Sequence, residues 1–239
     1  MKENKYPTYL VGYFIDYIKG TFEYLIKNEF KHEFAKLPKD CKIGFTTVPS
    51  GLHMMKESVQ NISGSMTPNV INKIIADNIC WELSTVMMTD WVFNVKNDSD
   101  IMNLTKLRLV VNLYNLKQNI LLYITDLDSF KSYLRMIVRH EIGHMIEVIS
   151  FNGTSESKYD NIFDQYAHEH DEFNKKNITD NYDEEYHKLP QEHLADMLGG
   201  VDIDELLKLC KHLDELPEMY KDMDIEINLV DKGDSNNEN

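Results

Sequence analysis

The chain has 239 residues, 42% of them hydrophobic, and a formal net charge of -15. That is enough apolar material for one domain with a substantial core, and the acidic excess argues against a nucleic-acid backbone or an anionic membrane as the main partner, since both are polyanions. No run reaches membrane-spanning length, the N-terminus does not pattern as a signal peptide, and three scattered cysteines, Cys41, Cys80 and Cys210, suit reduced thiols, so a cytoplasmic protein is expected.

The first predicted element is a long amphipathic helix from about Tyr9 to Phe34. Val11, Ile15, Ile18, Phe22 and Leu25 form its seam, and Gly12 and Gly20 weaken it locally. Packing of this seam on the domain is the favoured reading; docking in a partner's groove is the other. Lys42 to Val48 reads as a short strand ended by Pro49-Ser-Gly51. His53 has no neighbour at ligand spacing and reads as a surface or packing residue. Thr67-Pro68 opens an expected helix through Val70, Ile71, Ile74 and Ile75. Trp81 to Val95, rich in β-branched and aromatic residues, reads as one or two strands closed by Asn97-Asp98-Ser99-Asp100. Arg108 to Tyr114 and Ile120 to Ile124, either side of Asn115 to Asn119, read as a hairpin.

A long helix follows, with Asp128 as its expected cap and Leu134, Ile137, Val138, Ile142, Met145, Ile146 and Ile149 as a broad apolar stripe. It carries His140-Glu141-x-x-His144. Two histidines four apart lie on one helical face, so both imidazoles can reach one metal ion, and Glu141 sits beside it. In a deeply packed helix such polar groups must find partners, and a zinc ion would satisfy all three.

Residues 151 to 186 are acidic and polar and read as a loop with a helix inside it, lying over or beside the site. His168 and His170 fall there; two apart on a helix, they face different directions. Either touching the metal or acting as a polar group near a reacting carbonyl is their functional use. Pro190 suits a helix start and Gly199-Gly200 a stop, with Glu192 and Asp196 four apart between them. Asp202-Ile-Asp-Glu205 looks like a capping box for a last helix through Leu206, Leu207, Cys210 and Leu213, ended by Pro217. Residues 1–229 are expected to form one domain, with an N-terminal helical segment at about 8–38 and a disordered tail at 230–239.

His140-Glu141-x-x-His144 followed by Glu192-x-x-x-Asp196 resembles the gluzincin branch of the zincin metallopeptidases, which includes thermolysin. The resemblance implies an α+β, zincin-like fold: a small, mostly antiparallel sheet packed on the active-site helix, then a helical C-terminal part. It makes His140, His144 and Glu192 the ligands of one zinc ion per chain, with Glu141 as the general base. Asp196 would accept a hydrogen bond from the other ring nitrogen of His140. Two His and one Glu with an open fourth position is a set suited to catalytic rather than structural zinc. His187 and His193 compete as third ligands, and the spacing to Asp196 favours Glu192. An oxyanion-stabilising group is expected among Tyr166, Tyr182, Tyr186, His168 and His187. The extended metzincin motif requires glycine at position 147 and histidine at 150, where this chain has Glu147 and Ser150. The implied activity is zinc-dependent hydrolysis of a protein or peptide substrate. A non-catalytic interaction protein on a zincin-like fold is the alternative, and a non-peptide amide is a third possibility using the same site.

Overall fold

An apolar stripe along a helix has to be covered, and several stripes of this chain cover one another. In the computed structural model, which describes residues 8–49, 86–95, 100–176 and 181–219, the fold is α+β and mostly helical, with one small sheet. Helix α1 (Thr8–Tyr24) runs through a π-helical turn (Leu25–Glu29) into the short α2 (Lys31–Phe34). Strands β1 (Lys42–Val48), β2 (Met87–Val95) and β3 (Met102–Asn112) come next. The rest is helical: α3 (Leu113–Leu122), α4 (Leu127–Ser150), α5 (Glu156–Lys175), α6 (Tyr182–Tyr186), α7 (Pro190–Gly199) and α8 (Ile203–Met219). His53, the expected helix at Thr67 to Ile75, Cys80, the beginning of the Trp81 to Val95 stretch, the turn at Asn97 to Ser99 and the 230–239 tail lie outside the described residues. No helix among the described residues is long and apolar enough to cross a membrane. Cys41 and Cys210 are free thiols.

The sheet order is β1-β3-β2, with β1 parallel and β2 antiparallel to the central β3. It is therefore mixed, not mostly antiparallel; strand patterning reports a buried face but not the direction of the neighbour. The expected hairpin does not form either. Its first arm is the end of β3, and its loop and most of its second arm are α3. Asn112 switches the chain from strand to helix, because its side-chain oxygen accepts from the backbone N–H groups of Tyr114 and Asn115 at 3.1 and 3.3 Å. Leu116 and Ile120, four apart, are then buried on one face of α3. Two smaller corrections concern helix ends. The cap of α4 is Asp126, which accepts from Ser129 N–H at 3.0 Å, and Asp128 lies inside the first turn. Helix α8 passes Pro217 and ends at Met219.

Helix α4 is the centre of the core. Leu134, Val138, Ile142 and Met145 on it are fully buried, as are Phe14, Ile18 and Leu25 of the first helical segment. The Phe14 and Phe130 rings meet at 5.1 Å, and Tyr17 donates to the Lys131 carbonyl at 3.2 Å. The α1 seam thus packs on α4. Phe14 belongs to it, while Ile15 is only partly buried.

Helix α7 approaches α4 so closely that two glycines are needed. A Cβ on Gly143 would stand 1.8 Å from the Ala195 carbonyl oxygen, and one on Gly199 would stand 2.1 Å from that of Arg139. Neither contact is possible between real atoms. Gly12, in contrast, has open space where its Cβ would be.

Two outcomes follow from this packing. Gly143→Ala should destabilise by about 1–3 kcal/mol in urea unfolding despite alanine's better helix propensity, because the helices must separate, whereas Gly12→Ala should be stabilising by about 0.5–1 kcal/mol; equal effects would show that α4 and α7 do not cross this way. The Asp126 carboxyl is held down at about 2, below the usual 3.8, mainly by its hydrogen bond with His212 and also by the Ser129 N–H. A lowered folded-state value stabilises above the ordinary pKa and is lost as pH falls through the folded one. Unfolding measured between pH 5 and 2 should show less acid loss of stability in Asp126→Asn than in the parent.

Candidate metal centre

Two helices build the centre. Spacing on α4 puts His140 and His144 one turn apart, and the glycine-mediated crossing brings Glu192 and Asp196 of α7 against them. His140 Nε2 lies 3.1 Å from His144 Nε2 and 3.1 Å from Glu192 Oε2, and His144 Nε2 lies 3.4 Å from the same oxygen. A tetrahedral ion with bonds of about 2.0–2.1 Å holds its ligand atoms about 3.3–3.4 Å apart. The observed triangle is close to one face of such a tetrahedron.

Hydrogen-bond accounting points the same way. Asp196 Oδ1 is 2.7 Å from His140 Nδ1, so Nδ1 carries a proton and Nε2 is the nitrogen that faces His144 and Glu192. His144 Nε2 can donate one proton to it, but Glu192 Oε2 then remains buried without a hydrogen-bond partner, because neither ring nitrogen near it has the alignment for a bond. One cation satisfies all three atoms. These residues therefore fit a divalent ion with two imidazole ligands and one carboxylate.

The electrostatics describe a cluster short of positive charge. Burial disfavours charge on His140, but its hydrogen bond with Asp196 and the nearby carboxylates of Glu192 and Glu141 outweigh that and raise its pKa, so the imidazole holds extra positive charge when no cation is bound. Burial also disfavours ionised Glu192, yet the imidazoles of His140, His144 and His170 hold its carboxyl well below the usual range. Asp196 is likewise held down, against the effect of burial, by His140 and His187. Two buried carboxylates thus stay ionised side by side.

Of the other candidates, His187 is at the centre in a different place. Its Nδ1 lies 2.7 Å from Asp196 Oδ2, so Asp196 bridges two imidazoles. At 2.7 Å these are charge-assisted hydrogen bonds, shorter than the edge of a metal's ligand shell. His193 is exposed on the outer side of α7. Glu141 is 7% exposed; burial raises its carboxyl pKa, and the charges of His144 and His140 oppose the rise. Thr89 of β2 donates to the Glu141 carbonyl at 2.8 Å, pinning the sheet edge to α4 beside the motif. His168 is exposed, whereas His170 Nε2 stands 3.0 Å from Glu192 Oε1. The Tyr186 hydroxyl is kept neutral, first by burial and then by Glu192. Tyr166 donates to Glu147 Oε1 at 2.9 Å, and Tyr182 is 45% exposed.

Compared with known proteins, the chain matches no family model, no curated protein and no solved structure. The centre has to be interpreted from its own chemistry.

Metal-free protein titrated with zinc should bind one ion per chain by calorimetry. At free zinc about a hundred times the Kd, the stabilisation is about 2.7 kcal/mol, which for a chain of this size raises Tm by about 5–10 °C. A Tm indifferent to zinc would mean that the His140, His144 and Glu192 atoms are not a metal site.

Proposed function

We propose that the chain is a zinc-dependent metallopeptidase of the gluzincin type, on a zincin-like fold, hydrolysing peptide bonds. The observation that carries this reading is the triangle of His140 Nε2, His144 Nε2 and Glu192 Oε2 with an orphaned carboxylate oxygen at one corner. Three protein ligands leave a vertex open, which is the pattern of catalytic rather than structural zinc. An ion held there supplies a Lewis acid that polarises a carbonyl and brings the pKa of water to about 7.

The chain's own residues supply the remaining work. Glu141, next to the two imidazoles and unable to ligate with them, accepts a proton from the attacking water and returns it to the leaving amine. Burial raises its carboxyl pKa toward the working range of such a base, while the neighbouring imidazoles oppose the rise. Asp196 fixes the tautomer and orientation of His140 through Nδ1, and through its second oxygen it orients His187. His187 and Tyr186 are the side chains at the centre left to meet a developing oxyanion. The substrate is a protein or peptide, and the formal net charge of -15 disfavours a polyanion such as nucleic acid.

The test is Glu141→Gln, assayed for zinc content and for cleavage of a mixed peptide library read by mass spectrometry. Zinc should remain near one per chain while turnover falls by at least about a hundredfold. Undiminished cleavage by Glu141→Gln would overturn the mechanism, and a zinc-loaded parent that cleaves nothing would favour the non-catalytic alternative. Loss of both zinc and fold in Glu141→Gln would assign that carboxylate a structural role.

A further inference from the structure

Helix α5 carries Tyr159, Phe163, Tyr166, His170 and Phe173 at alternating spacings of four and three, which places them on one face. At the N-terminal end that face is held by rings. Phe163 meets Trp91 at 5.7 Å, Tyr159 meets Phe93 at 5.3 Å, and Trp91 Nε1 donates to the Tyr159 hydroxyl at 2.9 Å. Further along, the attachment becomes polar: Tyr166 donates to Glu147 at 2.9 Å, and His170 reaches Glu192 at 3.0 Å. His170 is the one imidazole on this face, and its side chain is only 15% exposed.

The atom it reaches matters. His170 Nε2 is at Oε1 of Glu192, whereas the imidazoles of His140 and His144 face Oε2. The two oxygens of one carboxylate therefore have separate partners. We infer that His170 is a positioning residue that engages Oε1, so that Glu192 offers the metal Oε2 alone, and that the docking of α5 and the retention of the metal are coupled through this contact. This rests on the zinc reading above. A glutamate side chain has three rotatable bonds, and freezing them at the moment of binding opposes affinity; a donor on the far oxygen freezes them beforehand. Outer hydrogen bonds of this kind are typically worth 10- to 100-fold in metal affinity. Coupling is reciprocal, so whatever factor docked α5 adds to metal affinity, bound metal adds to the docking of α5.

The sequence contains its own control. His168 lies two residues away on the same helix and faces solvent. The experiment is zinc affinity by competition with a chelator for the parent, His170→Phe, His170→Gln and His168→Phe, together with hydrogen exchange of α5 with and without zinc. His170→Phe should bind zinc 10- to 100-fold more weakly. His170→Gln, whose amide can donate from nearly the same place, should recover most of the loss, and His168→Phe should match the parent. Zinc should slow exchange of the C-terminal half of α5 in the parent and do so less in His170→Phe. Equal zinc affinity of His170→Phe and the parent, or α5 exchange indifferent to zinc, would overturn the positioning role while leaving the zinc site intact. A parent that binds no zinc would overturn both.

Discussion

Three electron-pair donors pointed at one another inside a protein repel unless something positive lies between them, and the rest of this structure is arranged around that problem. His140, His144 and Glu192 converge to within 3.1–3.4 Å, and the carboxylate at the corner is 3% exposed. Burial makes any charge there costly unless it is matched, and the imidazoles of His140, His144 and His170 around Glu192 match its carboxylate only in part, because Oε2 has no hydrogen-bond partner. Asp196 adds to the demand. By holding Nδ1 of His140 and Nδ1 of His187 it turns the other nitrogen of His140 toward His144 and Glu192.

The scaffold serves to keep the donors close. Gly143 and Gly199 remove the Cβ atoms that would hold α4 and α7 apart, and the pair of close backbone contacts sets the separation at which an α7 carboxylate meets an α4 imidazole. Behind α4 the core of Phe14, Ile18, Leu134, Val138 and Met145 fixes its depth, while Thr89 attaches the sheet edge at Glu141. Above the centre, α5 contributes aromatic packing at one end and His170 at the other. Each of these contacts acts on the orientation of a donor, not on its identity.

The parts of the sequence that were legible are those in which local chemistry and tertiary packing agree. The α4 stripe, the Pro190 start and Gly199-Gly200 stop of α7, and the Asp202 cap of α8 could be read directly, because each is decided within about one helical turn. Arg108 to Ile124 misleads for the opposite reason. Its apolar alternation looks like strand throughout, but Asn112 offers two hydrogen bonds to the backbone that a hairpin cannot match, and Leu116 with Ile120 supplies the helical face. His170 was legible in principle: Tyr159, Phe163, Tyr166 and Phe173 mark the inner face, and His170 falls on it while His168 does not. Gly143 carried no signal, since one of the two variable positions of His-Glu-x-x-His looks free until the partner helix is present. The placing of His187 on Asp196, instead of in the ligand triangle, likewise depends on the course of the chain through α6.

Arg139, next to His140, connects more than its own helix. Its guanidinium pairs with Glu29 of the π-helical turn, lies over the Phe30 ring at 5.8 Å, and donates to the Gly199 carbonyl at 3.2 Å, with Arg135 pairing with Glu29 as well. One side chain thus bolts the opening helical segment to both halves of the histidine-bearing crossing. The helical segment from Thr8 to Phe34 is accordingly part of what holds the crossing together: a version lacking it would strip the back of α4 and loosen the bolt at the same stroke, so a minimal fragment that keeps the histidine pair in place has to keep this segment as well.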